Sequence, residues 1–180
     1  RHYESEPALQ VSGEFLPFDQ MGILKGTLQV ANLKAQCRKY GVSITKYLAA
    51  ALLWSVIRTE TDGKNLKKSA ALNLPVNLRS FFDSETLANF FAVVNISWPK
   101  GRAPENFREV LTNVSRQMDE QIVKERLEET ISYNVSNEKK WYVRAIPLFI
   151  KHLAMELIFL RTSRAHTMTF SNIGPAKIRE

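Results

Sequence analysis

Apolar residues recur along this chain in two rhythms, every second position in some stretches and every third or fourth in others, and their succession predicts the order of elements. Leu24-Lys25-Gly26-Thr27-Leu28-Gln29-Val30 alternates as a strand does. Leu33, Cys37 and Tyr40 then fall on one helical face while Lys34, Arg38 and Lys39 look outward, and Gly41 ends that helix in the position a left-handed residue favours. Ser43 and Thr45 both suit the N-cap of a following helix that reaches Ile57. This helix is apolar around most of its circumference and has to be covered on two sides. The polar stretch from Thr59 to Ser69 is a surface loop. Ala70 to Arg79 reads as a strand that Pro75 confines to an edge or a bulge, and Ala92 to Trp98 as a second strand ended by Pro99 and Gly101. Between them, Phe81 to Phe91 forms an aromatic loop.

A long helix is expected from Pro104-Glu105, with Phe107, Leu111, Val114, Met118 and Ile122 on one stripe. The stripe then jumps to Leu127 and Ile131, which predicts a bend or a second packed surface near Val123 to Leu127. Tyr133 to Lys140 is polar and reads as a turn. Arg144 to about Leu160 reads as a buried helix, with Pro147 tolerable only in its first turn. His166 to Asn172 alternates as a last strand before Gly174-Pro175. Arg1 to Gly22, with Pro7, Gly13 and Pro17, is an extended connecting segment ahead of one unit spanning residues 23–180. Strands joined through helices require some parallel pairing, so the expected fold is α/β, a two-layer sandwich of a mixed sheet covered by helices.

The 180 residues suffice for one domain with a substantial core, or for one half of a larger fold. With 44% hydrophobic and 24% charged residues the chain is neither disordered nor low-complexity. One cysteine, Cys37, leaves no internal disulfide, CxxC pair or Cys-rich zinc site, which fits a reducing compartment and a cytoplasmic protein. No run approaches the length of a membrane span, the most apolar stretch being interrupted by Lys151, His152 and Glu156. The N-terminus lacks signal-peptide architecture, and starting on arginine rather than methionine fits a chain that begins inside a longer protein.

The net charge of +7 concentrates in two segments, Leu33 to Lys68 and Lys139 to Glu180, each with eight basic and two acidic residues. The basic residues stand mostly singly on amphipathic helices, without an Arg-rich tract, an RNP motif or zinc-finger spacing, so nucleic acid is not the expected ligand. An anionic small molecule is served by the same field.

Local chemistry is sparse. His2, His152 and His166 have no metal-ligand spacing, and His152 precedes Glu156 by one helical turn, the spacing of a structural hydrogen bond. Neither a G-x-S-x-G elbow, a Walker loop nor a G-x-G-x-x-G is present, and Cys37 reads as a small core residue. No metal site is expected.

Four ordered pieces carry more. Tyr40-Gly41-Val42-Ser43-Ile44-Thr45-Lys46-Tyr47-Leu48-Ala49-Ala50-Ala51-Leu52, Leu74-Pro75-Val76-Asn77-Leu78-Arg79, Asn89-Phe90-Phe91 and Thr169-Phe170-Ser171-Asn172-Ile173-Gly174-Pro175 together resemble the second half of the chloramphenicol-acetyltransferase-like superfamily of CoA-dependent acyltransferases, alcohol acetyltransferases and condensation domains. The likeness runs from about Lys25 to Pro175. It implies one of two similar α/β halves facing each other across a tunnel, with acyl-CoA as co-substrate and a small alcohol or amine as acceptor. It also implies a partner, the N-terminal half of the same fold, on this chain's parent or on another chain.

The family's base is a histidine in H-x-x-x-D, which takes the acceptor's proton as the acceptor attacks the thioester. Here His2, His152 and His166 are followed at that spacing by Glu6, Glu156 and Phe170, so the chain alone should not catalyse the transfer. Ser171 and Asn172 match the segment that faces the tunnel and either orient the acceptor and an oxyanion or simply close the strand. Asn77 is a weaker substrate contact. Arg79 and Asn89 match an arginine and an asparagine of the family. The arginine is read first as an anchor for the aromatic loop and second as a ligand for CoA phosphate. Two other classes remain open: a noncatalytic acyltransferase-like assembly module, and a basic module for nucleic acid or acidic lipid.

Overall fold

In the computed structural model the residues described are 6–14, 16–17, 19–61, 65–85, 89–138, 152–153, 155–157, 159 and 162–174. Two strands, β1 (Ala70–Asn77) and β2 (Phe91–Trp98), pair antiparallel from Ala70 opposite Trp98 to Asn77 opposite Phe91. Along β2 the alternate residues Ala92, Val94, Ile96 and Trp98 are buried, while Phe91, Val93 and Asn95 face away. Opposed residues share a face, so Leu72 and Leu74 of β1 join Ile96 and Val94 on the buried side. A short β3 (Met168–Thr169) pairs parallel to the other side of β1, giving the mixed order β2-β1-β3.

Helices lie on the buried face. The first two are α1 (Val30–Tyr40) and α2 (Ile44–Thr61). They are separated by Gly41, whose φ of 66° is left-handed, and the Val42 N–H closes the turn on the Cys37 carbonyl at 3.0 Å. Of the two expected caps Ser43 serves α2, its Oγ accepting the Lys46 N–H at 3.3 Å. α2 buries Ala49, Ala50, Leu53 and Ile57. Next comes α3 (Phe107–Gln121), whose N-cap is Asn106, its side chain accepting the Glu109 N–H at 3.1 Å. Val110, Leu111, Val114 and Met118 of α3 complete the core with α2 and the sheet. At Ile122 the backbone leaves the helical region and α4 (Lys124–Glu138) begins, with Leu127 buried on its own face, as the shifted stripe predicts.

The α/β class and the mixed sheet therefore hold, and several local expectations do not. Residues 24–29 form neither strand nor helix, Leu24 being fully exposed at 103%, and Val30 opens α1. Alternation gives a strand one apolar face but cannot supply the neighbour to pair with. Pro75 stands in the central strand rather than at an edge. Because Asn73 turns its carbonyl towards Phe170 of the third strand's side, the like-directed position 75 does the same, beyond the last β3 pairing at Thr169. The proline's missing N–H thus falls where no ladder continues.

Residues 133–138, expected as a turn, continue α4, whereas residues 139–151, with most of the first half of the expected Arg144–Leu160 helix, lie outside the described residues. The described part of that helix, at His152, Leu153, 155–157 and Phe159, is helical but exposed, Phe159 at 69%. Apolar composition made it look buried; no described element covers these side chains. The last strand is shorter than its pattern, since only Met168 and Thr169 pair while 170–174 run on unpaired. No single described helix is long and apolar enough to cross a membrane.

Candidate functional site

The C-terminal end of β1, the N-terminus of α2, the end of α3 and the chain just after β3 meet around a cleft of about 560 Å3. Its position follows from the topology, because parallel β1 and β3 end on the same side and the loops there diverge. Leu74, Val76, Met118, Ile122 and Phe170 give it apolar walls. Thr45, Lys46, Asn77, Ser80, Asp119 and Asn172 supply its polar groups, a mixture typical of small-molecule sites.

The expected residues divide in two. Asn77 and Asn172, from motifs nearly a hundred positions apart, both line the cleft. Asn77 ends β1, and its Oδ1 accepts the Arg79 N–H at 3.1 Å to cap the 3-10 turn Leu78–Ser80. Its amide nitrogen is left to donate. Asn172 Nδ2 donates to Thr45 Oγ1 at 2.9 Å, and its Oδ1 accepts the Gly174 N–H at 2.9 Å. Asn172 therefore ties the last strand to the start of α2, and the Thr45 hydroxyl, having accepted there, can still donate its own proton. Ser171 is exposed and stands between two lining residues without lining the cleft itself. Arg79 and Asn89 are exposed and also lie outside its lining, in the turns on either side of the aromatic loop. In that loop Phe82 and Phe90 meet edge to face at 6.4 Å, and the Phe90 carbonyl accepts the Leu78 N–H at 3.1 Å.

Among the lining residues that the sequence reading did not single out, two form an ion pair. Lys46 Nζ meets Asp119 Oδ1 at 2.6 Å across the cleft, from α2 and α3. Each looks in sequence like an ordinary helix charge, and no local spacing relates positions 73 residues apart.

His166 is half-buried, its carbonyl accepting from Gln10 Nε2 at 3.2 Å, and His152 is exposed; neither lines the cleft, and His2 lies outside the described residues. Among the described residues no three His, Cys, Asp or Glu side chains gather as a metal site would require. A second hollow of about 550 Å3 beside Trp98 is lined by Lys100, Arg102 and Arg116, yet each faces a carboxylate: Lys100 meets Glu6 at 2.9 Å, Arg102 meets Glu105 at 2.8 Å and Arg116 meets Glu120 at 2.9 Å. Part of the chain's excess positive charge is thus locally balanced. Cys37 is buried on α1, and desolvation pushes its thiol above the ordinary value of 9.0 against a smaller lowering by a backbone hydrogen bond. No protein-family model, curated protein or solved structure matches the chain.

Proposed function

We propose that this chain supplies one wall of a CoA-dependent acyl-transfer site, with the cleft between β1, α2, α3 and the end of β3 receiving the acyl group or a small alcohol or amine acceptor. The observation that carries this reading is the convergence of Asn77 and Asn172 on one cleft with polar groups on apolar walls. Both were singled out from the ordered motifs that resemble the acyltransferase superfamily. The free donors, Asn77 Nδ2 and the Thr45 hydroxyl, suit an acyl carbonyl whose oxygen gains charge as a nucleophile attacks. Asn172 holds Thr45 in place.

The proton-accepting imidazole comes from outside this wall, since neither described histidine lines the cleft. The partner is the complementary half that the resemblance implies. Arg79 and Asn89, away from the cleft, act on the aromatic loop in this reading, with CoA phosphate at Arg79 as the alternative. The test is thiol release from acetyl-CoA by the complete protein, in the presence of a panel of small alcohols and amines. Thr45→Val and Asn77→Ala should each lower kcat by about tenfold or more, the scale of losing one oxyanion donor or somewhat less. Thiol release equal in all three proteins, or absent from the complete protein, overturns the reading.

A noncatalytic assembly role is favoured by a different observation, the exposure of Leu24, Leu28, Leu157 and Phe159. It predicts that Leu24→Ser and Phe159→Ser weaken association with a partner while Thr45→Val and Asn77→Ala do nothing.

A further inference from the structure

Among the described residues β2 is the outermost strand on its side of the sheet. An edge of eight residues normally offers its outward N–H and C=O groups to any strand that approaches. Here side chains of α3 take those of Ser97 and the carbonyl of Asn95. The Ser97 N–H donates to Gln117 Oε1 at 3.0 Å, and Gln117 Nε2 donates back to the Ser97 carbonyl at 2.7 Å. One side-chain amide therefore meets this residue as the backbone of a neighbouring strand would. Asn113 Nδ2 reaches the same carbonyl at 3.0 Å, and Gln121 Nε2 reaches the Asn95 carbonyl at 2.9 Å.

The two spacings match. Residues 113, 117 and 121 stand on one helical stripe, four residues apart, an axial step of about 6 Å. Ser97 and Asn95 carry successive outward-facing backbone groups of an antiparallel strand, about 6.8 Å apart. The stripe flanks the buried Val110, Val114 and Met118, so packing the core brings the amides to the edge. Arg116 donates to Asn113 Oδ1 at 3.3 Å and holds that amide with its Nδ2 towards β2.

We infer that Asn113, Gln117 and Gln121 form a surrogate strand that covers the outer edge of β2 at residues 95–97 and so blocks strand addition there. The excluded partner is β2 of a second copy of the chain. Two such edges pair antiparallel about a two-fold axis, and the exposed Phe91 and Val93 on the open face would continue across the joint.

Two measurements on the full 180-residue chain test this. In Gln117→Leu, hydrogen exchange at the Ser97 amide should accelerate by about tenfold or more, while the Ile96 amide, which faces β1, keeps its wild-type rate. Unchanged exchange at Ser97 overturns the inference, and this arm decides even where the multiple variant fails to fold. In the triple variant Asn113→Ala, Gln117→Leu, Gln121→Leu, sedimentation should show concentration-dependent self-association beyond that of the wild type. Adding Ser97→Pro, which deletes an outward N–H and no bond to β1, should return the mass to the wild-type value. A triple variant that associates no more than the wild type, or that associates equally with Ser97→Pro, also overturns it.

Discussion

α2 and the helical residues 152–159 are both strongly apolar, yet they end in opposite environments. α2 buries Ala49, Ala50, Leu53 and Ile57 against β1 and α3, whereas Leu153, Met155, Leu157 and Phe159 stand open to solvent. The difference teaches that apolar content states what an element needs, and the neighbours state whether it gets it. Position relative to the two long strands decides the outcome.

The sharpest way to break this comparison is to cut into both sides of it. Leu72→Ala and Ile96→Ala, each at fully buried positions, should cost about 2–5 kcal/mol in denaturant melts. Leu24→Ser and Phe159→Ser should stay within about 0.5 kcal/mol of the wild type, since both side chains are exposed. Comparable losses on the two sides would mean that the apolar helix is packed after all.

Next in size come the local devices that hold the core helices. Asn106→Ala should cost about 1 kcal/mol by leaving the Glu109 N–H without its acceptor. Gly41→Ala, at φ 66°, should cost about 1–2 kcal/mol because a Cβ is strained in the left-handed region. No stability loss in either variant would show that the turn before α2 and the start of α3 are held from elsewhere.

The buried thiol gives a pH prediction. Because burial raises the folded-state value of Cys37 above 9.0, the unfolded chain deprotonates first. Its contribution is thus full below the ordinary thiol range and is lost as pH rises through it. Stability curves of wild type and Cys37→Ala should draw closer as pH rises through that range; curves that stay parallel would contradict the raised thiol value. Smallest is the Lys46–Asp119 pair, with side chains 21% and 68% exposed, which a double-mutant cycle should place at about 0.2–1 kcal/mol, shrinking with added salt.

Much of the core was legible locally. The alternation from Ala92 to Trp98, the Phe107–Ile122 stripe and its jump to Leu127 each mapped onto an observed element, because period and burial are coupled in short-range geometry. The candidate site was legible in part. Asn77 and Asn172 line the cleft, while Ser171, Arg79 and Asn89 do not. Their neighbours in sequence give no sign of which way each side chain turns once the turns after β1 and β3 close. Thr45 looked like a second cap and proved instead to be the acceptor of Asn172.

The sequence by itself determined the periods, the helix stop at Gly41, a bend or second packed surface near Val123 to Leu127, and much of the buried stripes, since these depend on residues within a turn or two of one another. Only the tertiary structure decided that Pro75 could occupy the central strand, that Lys46 faces Asp119, and that amides of α3 meet the edge of β2 at Asn95 and Ser97. Each of those contacts joins residues far apart in the chain. Their geometry is fixed by how the sheet and helices pack, and no local pattern encodes it.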